Sequence, residues 1–409
     1  ALPIYTQYDF LIKILGRVDP SLKTSVQYTK RQMQKFESDF YKTEAGIWKK
    51  ATGIASAVAK VGAAAGVATG VALKKAYDVG SEFEKHMDEW SATADASNAQ
   101  YEKAREAALL WGRKTTKTAT ESADALKYMA LAGWDVNTSI KALPSVLKLS
   151  EATNLDLART SDLVTDAMAA TGTEAGDLAR FLDVAAKANN RSNQTAEQLL
   201  EGYIRTGAQL HDLHVPIEES ATAFGVLANR GLKAEEAGTA LRSVLINLTT
   251  GAGSAGKTME KLGISAFDDE ERFIGLKNTM MRVNDATRNM SDEQRNAALS
   301  ALGGKRNVAA LSDMLQSLNT TLADGRTEWD ALREDLDNAG GALNKMSKVK
   351  KDNLWGDLKI LESAMQDAGI RAYDGFANPL RDATQLATKE VYKFSDNVSD
   401  KIGVWYPTI

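Results

Sequence analysis

The sequence predicts an all-α protein of stacked helical hairpins, and three observations support this fold class. Apolar residues recur every three or four positions from Phe83 to Leu248, which is the period of an amphipathic helix. Within that span, a short pattern of apolar helix end, Gly and polar helix start occurs three times. No segment there has the alternating pattern of a strand in a sheet. A chain with these properties buries its apolar surface by stacking helices.

The composition agrees with a helical protein and excludes several kinds of site. Of the 409 residues, 44% are hydrophobic and 7% aromatic, and only six are Pro. The absence of Cys excludes disulfides and thiolate metal sites, and a net charge of −4 gives no general attraction to DNA or anionic lipid. The first residues lack the basic start and apolar run of a secretory signal. Because the chain begins with Ala1 and not with Met, we expect it to be a piece of a longer protein.

Two N-terminal segments are expected, residues 1–46 and residues 47–80. The first contains a short strand at 8–15, where apolar residues alternate, and a charged amphipathic helix at 21–41. The second contains a hydrophobic helix rich in Gly and Ala at 51–73, interrupted only by one Lys. Its length is sufficient to cross a bilayer, but its small residues make it barely apolar enough to insert alone.

Three glycines of this hydrophobic helix lie four residues apart and therefore share one face: Gly62, Gly66 and Gly70. Small residues at that spacing let a second helix approach closely. We predict that they contact another helix in an oligomer, with lipid contact as the alternative.

The helical core is expected at residues 81–250, where the repeated pattern occurs. The three copies of the pattern are residues 129–133, 168–172 and 227–231. The Gly that ends each copy is suited to close a helix in a left-handed cap. Acidic residues then begin the next helix: Asp135, Glu174, Glu235 and Glu236.

Further signals mark helix boundaries within the core. Thr153 with Asp156, and Thr195 with Gln198, have the spacing of a capping box, in which two side chains satisfy free amides at a helix start. Pro144 lies inside an apolar periodic run, where we expect it to kink the helix or to make a new helix start.

A second part of the core with Gly-rich linkers is expected at residues 251–325. A short extended piece is predicted around 267–273, followed by helices at 276–288, 291–302 and 308–322. The sequence Gly-Gly-Lys-Arg at 303–306 separates the last two.

The C-terminal helices, residues 326–409, have a heptad-like spacing in two blocks. The first block is Leu332, Leu336, Ala339, Leu343 and Met346, and the second is Leu354, Leu358, Leu361, Met365 and Ala368. We predict that Leu354, Leu358, Leu361 and Met365 form a seam between copies of the chain. An ordinary buried face is the alternative, because neither block sustains many heptads.

One segment matches a nucleotide-binding motif in full. Residues 251–258 read Gly-Ala-Gly-Ser-Ala-Gly-Lys-Thr, which satisfies the P-loop pattern, and residues 244–248 resemble the strand that feeds such a loop. A nucleotide site also needs a second apolar strand that ends in Asp to hold magnesium, and the sequence contains none. Residues 241–248 have helical spacing instead, so we predict a Gly-rich linker between two helices.

No residue set indicates catalysis or metal binding. His211 and His214 lie three apart beside Asp212, but a zinc site needs a further ligand, and His86 is far away in the sequence. We therefore expect a surface or capping role for both.

Clusters of charge have similarly simple interpretations. Glu218-Glu219 and Glu235-Glu236 are expected in the first turns of helices, where carboxylates favour the helix dipole, and 268–271 is an acidic loop. The basic residues at 348–351 and 305–306 are too sparse for nucleic-acid recognition. We predict no catalytic, cofactor-binding or metal-binding residue, no cofactor and no specific nucleic-acid partner.

Many segments of the chain together resemble one known family, the tape measure proteins of phage tails. The similar segments are 83–85, 115–119, 125–126, 129–134, 142–144, 162–167, 188–190, 227–228, 236–242, 262–264, 301–306 and 352–354. The Gly/Ala-rich helix upstream is also typical of this family. The resemblance therefore covers nearly the whole chain.

The resemblance implies a structural, non-enzymatic protein of a phage tail or a tail-like particle. Members of the family lie in the lumen of the tail tube as a few parallel copies, often three or six, and set tail length while the tube assembles around them. The implied partners are further copies of the chain, the tail tube protein, baseplate or tail-tip hub proteins, tail assembly chaperones and the host membrane. The implied locations are the tail tube lumen or tail tip in the virion, the host cytoplasm during assembly, and the host membrane during infection.

Two other functions remain open from the sequence. The first is a membrane-active, pore-forming component that acts mainly in envelope penetration through the Gly/Ala-rich helix. The second is a P-loop ATPase.

Overall fold

The computed structural model describes residues 69–403, and every structural statement below concerns that part of the chain. The described residues are all-α, as the sequence predicts, and contain only two isolated β-bridges beside the helices. The sixteen helices are α1 (Thr69–Ala94), α2 (Asn98–Lys114), α3 (Ala119–Leu131), α4 (Val136–Thr153), α5 (Leu157–Thr171), α6 (Leu178–Arg191), α7 (Ala196–Asp212), α8 (Ile217–Asn229), α9 (Ala234–Thr250), α10 (Gly253–Leu262), α11 (Leu276–Thr287), α12 (Asp292–Gly303), α13 (Val308–Asn319), α14 (Glu328–Asp337), α15 (Ala342–Lys351) and α16 (Leu354–Gly403).

Several predicted elements lie outside the described residues. These are the strand at 8–15, the amphipathic helix at 21–41, and most of the hydrophobic helix with Gly62 and Gly66. Gly70 lies in the first turn of α1. In the described part of the chain, no helix is both long and apolar enough to span a membrane.

The glycines of the repeated pattern follow helices as predicted. Gly133, Gly172 and Gly231 have φ values of 81°, 62° and 95°, in the left-handed region that residues with a Cβ rarely adopt. Asp135 then begins α4, because its carboxylate accepts hydrogen bonds from the amides of Asn137 (2.9 Å) and Thr138 (3.1 Å). These features confirm the prediction of consecutive helical hairpins.

The predicted capping boxes divide into one that is correct and one that is wrong. Thr195 and Gln198 form the reciprocal box at the start of α7. Thr153 is instead the last residue of α4, and its hydroxyl donates to the carbonyl of Leu149 at 2.7 Å. Asp156 itself caps α5 by accepting from the amide of Arg159.

Two further predictions need correction. Pro144 does not start a new helix, because α4 runs through it from Val136 to Thr153. Glu174 precedes a short 3-10 turn, Ala175–Asp177, so α6 begins only at Leu178. The acidic residues Glu235 and Glu236 do lie in the first turn of α9.

Two turns between helices are closed by single β-bridges. Phe267 pairs with Phe273 in the predicted extended piece, and their rings meet edge to face with centroids 6.2 Å apart. A second bridge between Thr321 and Thr327 was not predicted, and it shortens the preceding helix to Asn319.

Helix α8 is the central element of the core. Its ten consecutive residues from Glu219 to Ala228 are all buried, which is the pattern of a helix surrounded on every side. It packs against α6, α9, α11, α13 and α14, so helices from both predicted parts of the core meet around it. Phe224 of α8 and Phe181 of α6 contact the buried ring of Tyr203 at 5.1 and 5.5 Å between centroids.

Helix α7 makes close contacts with α5 and α9 at glycines. A Cβ on Gly207 would lie 2.5 Å from the carbonyl carbon of Ala170, and a Cβ on Gly238 would lie 2.6 Å from the carbonyl oxygen of Gly202. The hydroxyl of Thr206, next to Gly207, also donates to the carbonyl of Gly238. Three helix backbones therefore approach one another across small residues.

The contacts divide the chain into two compact units, and residues 82–367 form the larger one. In the other unit, described for residues 69–81 and 368–403, the ring of Tyr373 lies against Gly80 and meets Tyr77 edge to face at 6.1 Å. The five segments expected from the sequence remain a prediction.

Candidate interaction surface

The start of α16 carries an apolar stripe that faces water. Leu354, Leu358, Leu361 and Met365 follow the 4-3-4 spacing predicted for a seam, and between 54% and 73% of each residue is exposed. Trp355 beside them is 55% exposed. A soluble protein rarely exposes so many large apolar side chains together unless something covers them. We call these five residues the apolar stripe.

The opposite face of the same helix lies on the core and, apart from the half-buried Ile360, is made of small or polar residues. Gly356, Ser363 and Asp367 are buried, the hydroxyl of Ser363 donates to the carbonyl of Lys117 at 3.3 Å, and Asp367 pairs with Arg113 at 3.6 Å. The helix therefore presents its apolar side outward and its polar side inward, the reverse of an ordinary surface helix.

The first heptad-like block has a different environment. Leu332, Leu336, Ala339 and Leu343 are buried within the larger unit, and Met346 is half-buried. This block is the ordinary buried face that the sequence left as an alternative, and only the second block is exposed.

Sequence reasoning missed two charged side chains of α6 that hold the last short helices in place. Asp183 of α6 accepts hydrogen bonds from the amides of Gly341 (2.8 Å) and Leu343 (2.9 Å), so it caps α15 from 158 residues away. Arg180, one turn earlier on α6, donates to the carbonyls of Leu336 and Asp337 at the end of α14. Each charge has the sign that its helix end favours. Local sequence carries no signal for such long-range caps.

A buried carboxylate also contacts α15. Glu151, near the end of α4, accepts hydrogen bonds from the amide of Thr116 (2.6 Å) and the hydroxyl of Ser347 (2.7 Å), and the ammonium of Lys351 is 3.5 Å away. Only 1% of its side chain is exposed. This contact too was absent from the sequence-based predictions.

The P-loop pattern does not form a phosphate-binding loop. Gly251 ends α9 with φ of 61°, and the motif continues as the first turns of α10, so Lys257 lies on a helix. The segment before it is helix α9 and not a strand. A Cβ on Gly256 would lie 1.8 Å from the carbonyl oxygen of Gly251, which explains why both positions are Gly. The Gly-rich linker predicted for residues 251–258 is therefore wrong in its length, since only two residues separate α9 from α10.

The two predicted histidines lie at a helix end beside a small cavity. His211 is in the last turn of α7, and His214 follows the helix with φ of 53° and donates its amide to the carbonyl of His211. A cavity of about 270 Å³ between them also reaches Tyr203, whose pKa is raised by burial. No group of three or more potential metal ligands comes together among the residues that the structure describes.

Comparisons with known proteins find similarity to phage tail proteins. The family described as phage-related minor tail protein matches residues 105–304, which extend from α2 to the end of α12. The chain is 29% identical over 292 residues to the tape measure protein of Pneumococcus phage Dp-1 and 25% identical over 337 residues to the probable tape measure protein of Escherichia phage P2. The chain is therefore similar to phage tail tape measure proteins.

The matched stretches cover most of this chain but only part of its relatives. They include 71% of this chain and 25% of the Dp-1 protein, and 81% of this chain and 40% of the P2 protein. No solved structure matches the chain. The apolar stripe and α13 to α16 lie beyond the residues that the family match covers.

Proposed function

We propose that this chain is part of the structural ruler of a phage tail or tail-like particle. It would lie in the lumen of the tail tube or at the tail tip, set tail length and template assembly of the tube around it, without enzymatic activity. The observation that carries this proposal is the joint match of the helical core to a minor tail family and to two tape measure proteins. The tail tube protein, the baseplate or tail-tip hub and the assembly chaperones are the proposed partners.

The compact and the extended parts of the chain have different roles in this proposal. A continuous helix advances ~1.5 Å per residue, so 409 residues in one helix would reach ~600 Å and α16 alone reaches ~75 Å. The hairpins of residues 82–367 fold back on themselves and add little length. We propose that this core is a folded end of the ruler, and that α16 begins its extended part.

The apolar stripe supports the proposal that several copies lie side by side, three or six in number. Four residues at 4-3-4 spacing, exposed in a single chain, are suited to helices that pack along one another. Gly62, Gly66 and Gly70 are proposed as a second contact between copies.

Tail length in the parent phage tests the proposed ruler. Inserting 56 residues of heptad repeat after Lys389, in the distal part of α16, is expected to lengthen the tail by ~84 Å. The matched control inserts 56 residues at Asp269, in the exposed turn of the compact core, and should leave length unchanged. Equal tail lengths in wild type and the Lys389 insertion would contradict the ruler, and equal lengthening by both insertions would contradict the folded end.

The second candidate function, envelope passage, is favoured by the hydrophobic run at 51–73 with its glycines four residues apart. In this proposal the chain leaves the tail ahead of the genome and helps open a path through the host membrane. A peptide covering residues 48–77 should release dye from liposomes, and Gly66→Leu should weaken release if the Gly face joins helices into a pore. Absence of leakage at every peptide concentration would argue against it.

A further inference from the structure

Helix α15 is a short element that connects the core to α16. It has ten residues, a length at which an isolated helix is marginal in water. Of these residues only Leu343 and Ser347 are buried. Apart from Leu343 and the half-buried Ala342 and Met346, its attachment to α4 and α6 consists of polar contacts, in contrast to α8.

The two carboxylates that hold α15 differ in physical character. Asp183 is at the rim of the contact and caps the helix N-terminus, where the helix dipole favours a negative charge. Glu151 is buried two residues before the end of Val136–Thr153, where the dipole of α4 opposes a negative charge. Burying an ion costs hydration free energy, which the hydrogen bonds from Thr116 and Ser347 offset only in part.

Undocking of α15 would return water to Glu151. Ser347 and Lys351 move away with the helix, and the carboxylate of Glu151 becomes hydrated. The next segment is held in a similar way, since the core-facing side of α16 carries the half-buried Ile360 beside Gly356, Ser363 and Asp367, while its leucines face outward. Polar contacts of this kind exchange readily for water, and apolar ones do not.

We infer that α15 is a releasable strap that fastens the start of α16 to the core, and that Glu151 keeps this fastening reversible. The inference goes beyond the proposed function and stands whether or not the chain sets tail length.

Hydrogen exchange of the full chain, followed by mass spectrometry, tests the strap through opposite effects of its two acids. Glu151→Gln keeps one oxygen that accepts from the amide of Thr116 and turns the other into an NH2 that can donate to the hydroxyl of Ser347. It removes the buried charge, so exchange across residues 342–351 should slow about fivefold or more. Asp183→Asn removes one of two capping oxygens, so exchange across the same residues should become faster. Residues 354–367 should follow 342–351 in both variants, while α7 is the internal reference and should not change.

Two results would overturn the inference. Faster exchange of α15 in Glu151→Gln would show that Glu151 only stabilises the docked helix. Exchange of residues 354–367 at the wild-type rate in both variants would show that α15 does not hold the start of α16.

A second measurement applies if either substitution disturbs α7. Asn190→Cys with Met346→Cys puts the chain's only two thiols at positions whose native side chains contact each other, with Nδ2 of Asn190 3.7 Å from Sδ of Met346. Joining them with a short bis-maleimide cross-linker should slow exchange of 354–367 to the reference rate, and unchanged exchange there would again overturn the inference.

Discussion

Two helices of this protein begin at a glycine and obtain their N-terminal caps from distant carboxylates. Gly275 precedes α11 and Gly341 precedes α15, and neither offers a side chain to the free amides of the first turn. Glu219 accepts a hydrogen bond from the amide of Lys277 at 3.0 Å, as Asp183 does for α15. Each cap therefore holds a later helix of the chain against an earlier one.

The cap on α11 should contribute measurably to stability. Glu219→Ala leaves the amide of Lys277 without its partner in a partly buried setting, so we expect a loss of about 1–2 kcal/mol in the free energy of unfolding. Glu236→Ala is the control, because Glu236 is an exposed residue in the first turn of α9. Urea denaturation followed by circular dichroism measures both, and equal stability of the two variants would refute the capping role.

The ion pair between Asp330 and Lys277 should make stability depend on pH. Burial raises the pKa of Asp330, but hydrogen bonds from Lys277 and Thr327 and the charge of Lys277 outweigh it, so the pKa lies below its ordinary value of 3.8. The folded state thus binds this proton less readily than the unfolded state. The stabilisation is complete above the unfolded-state pKa and disappears as pH falls through the folded-state pKa.

Asp330→Asn should therefore destabilise the protein at pH 7 and have a smaller effect near pH 3. Chemical denaturation at both pH values measures the difference, with Asp269→Asn in the exposed turn as control. An effect of Asp330→Asn that is independent of pH would show that the charge contributes nothing.

At the scale of elements, the close approach of α5, α7 and α9 depends on glycine. Ala is the better helix former, by about 1 kcal/mol, yet a Cβ on Gly207 would collide with the backbone of Ala170. We expect Gly207→Ala to destabilise the protein by about 1–3 kcal/mol. Gly176, in the 3-10 turn, has nothing within 4 Å of its virtual Cβ, so Gly176→Ala should be neutral or stabilising. Denaturant titrations measure the change in the free energy of unfolding for each variant, and changes of the same sign in both would contradict this packing argument.

The apolar stripe makes a prediction about helix pairing that uses the absence of Cys. In a parallel, in-register assembly, Leu361 meets its counterpart in the neighbouring copy, so Leu361→Cys should form disulfide-linked dimers on mild oxidation. Lys359→Cys lies two residues away on a flank and should form far fewer. Non-reducing gels and light scattering of the unmodified chain give the result, and a monomer at all concentrations would exclude the seam.

Helix periodicity predicted the elements well but not their environments. The spacing of apolar residues gave the helical type of α11, α12 and α13, and glycine chemistry gave the ends of α3, α5 and α8. Spacing alone did not distinguish the buried block at 332–343 from the exposed block at 354–365, since both have the same period. Caps such as Asp183 link residues 158 positions apart, and only the folded chain brings them together.

The P-loop segment shows a similar limit. Its eight residues satisfy the nucleotide-binding pattern, but the chemistry of that site depends on a strand before the loop, and α9 occupies that position. Local sequence was sufficient to recognise the helical spacing of 241–248. It did not reveal that Gly253 and Gly256 belong to the next helix, because the tight contact of Gly256 with Gly251 is a property of the fold.

For the whole molecule, the compact unit extends beyond the region that the family match covers. The match ends at Gly304, yet α13, α14 and α15 pack on α8, α6 and α4 within the unit 82–367. Trp329 and Leu336 are fully buried there. The family region is therefore incomplete as a folding unit in this chain.

Truncation tests this view of the unit. A fragment of residues 82–304 exposes the surfaces of α6 and α8 that α13 and α14 cover, so it should lack a cooperative thermal transition. A fragment of residues 82–367 should retain one. Calorimetry compares them, and a sharp transition in the shorter fragment would show that the C-terminal helices are accessory.

The outward leucines of α16 also have a consequence for how the protein is made. A newly synthesised copy that has not yet assembled exposes a row of apolar side chains to the cell interior. Non-specific association with unrelated proteins then competes with correct assembly. The soluble amount of this protein should therefore depend on its expression level relative to that of its assembly partners. When those partners are scarce, overexpression should increase the insoluble fraction and not the soluble one.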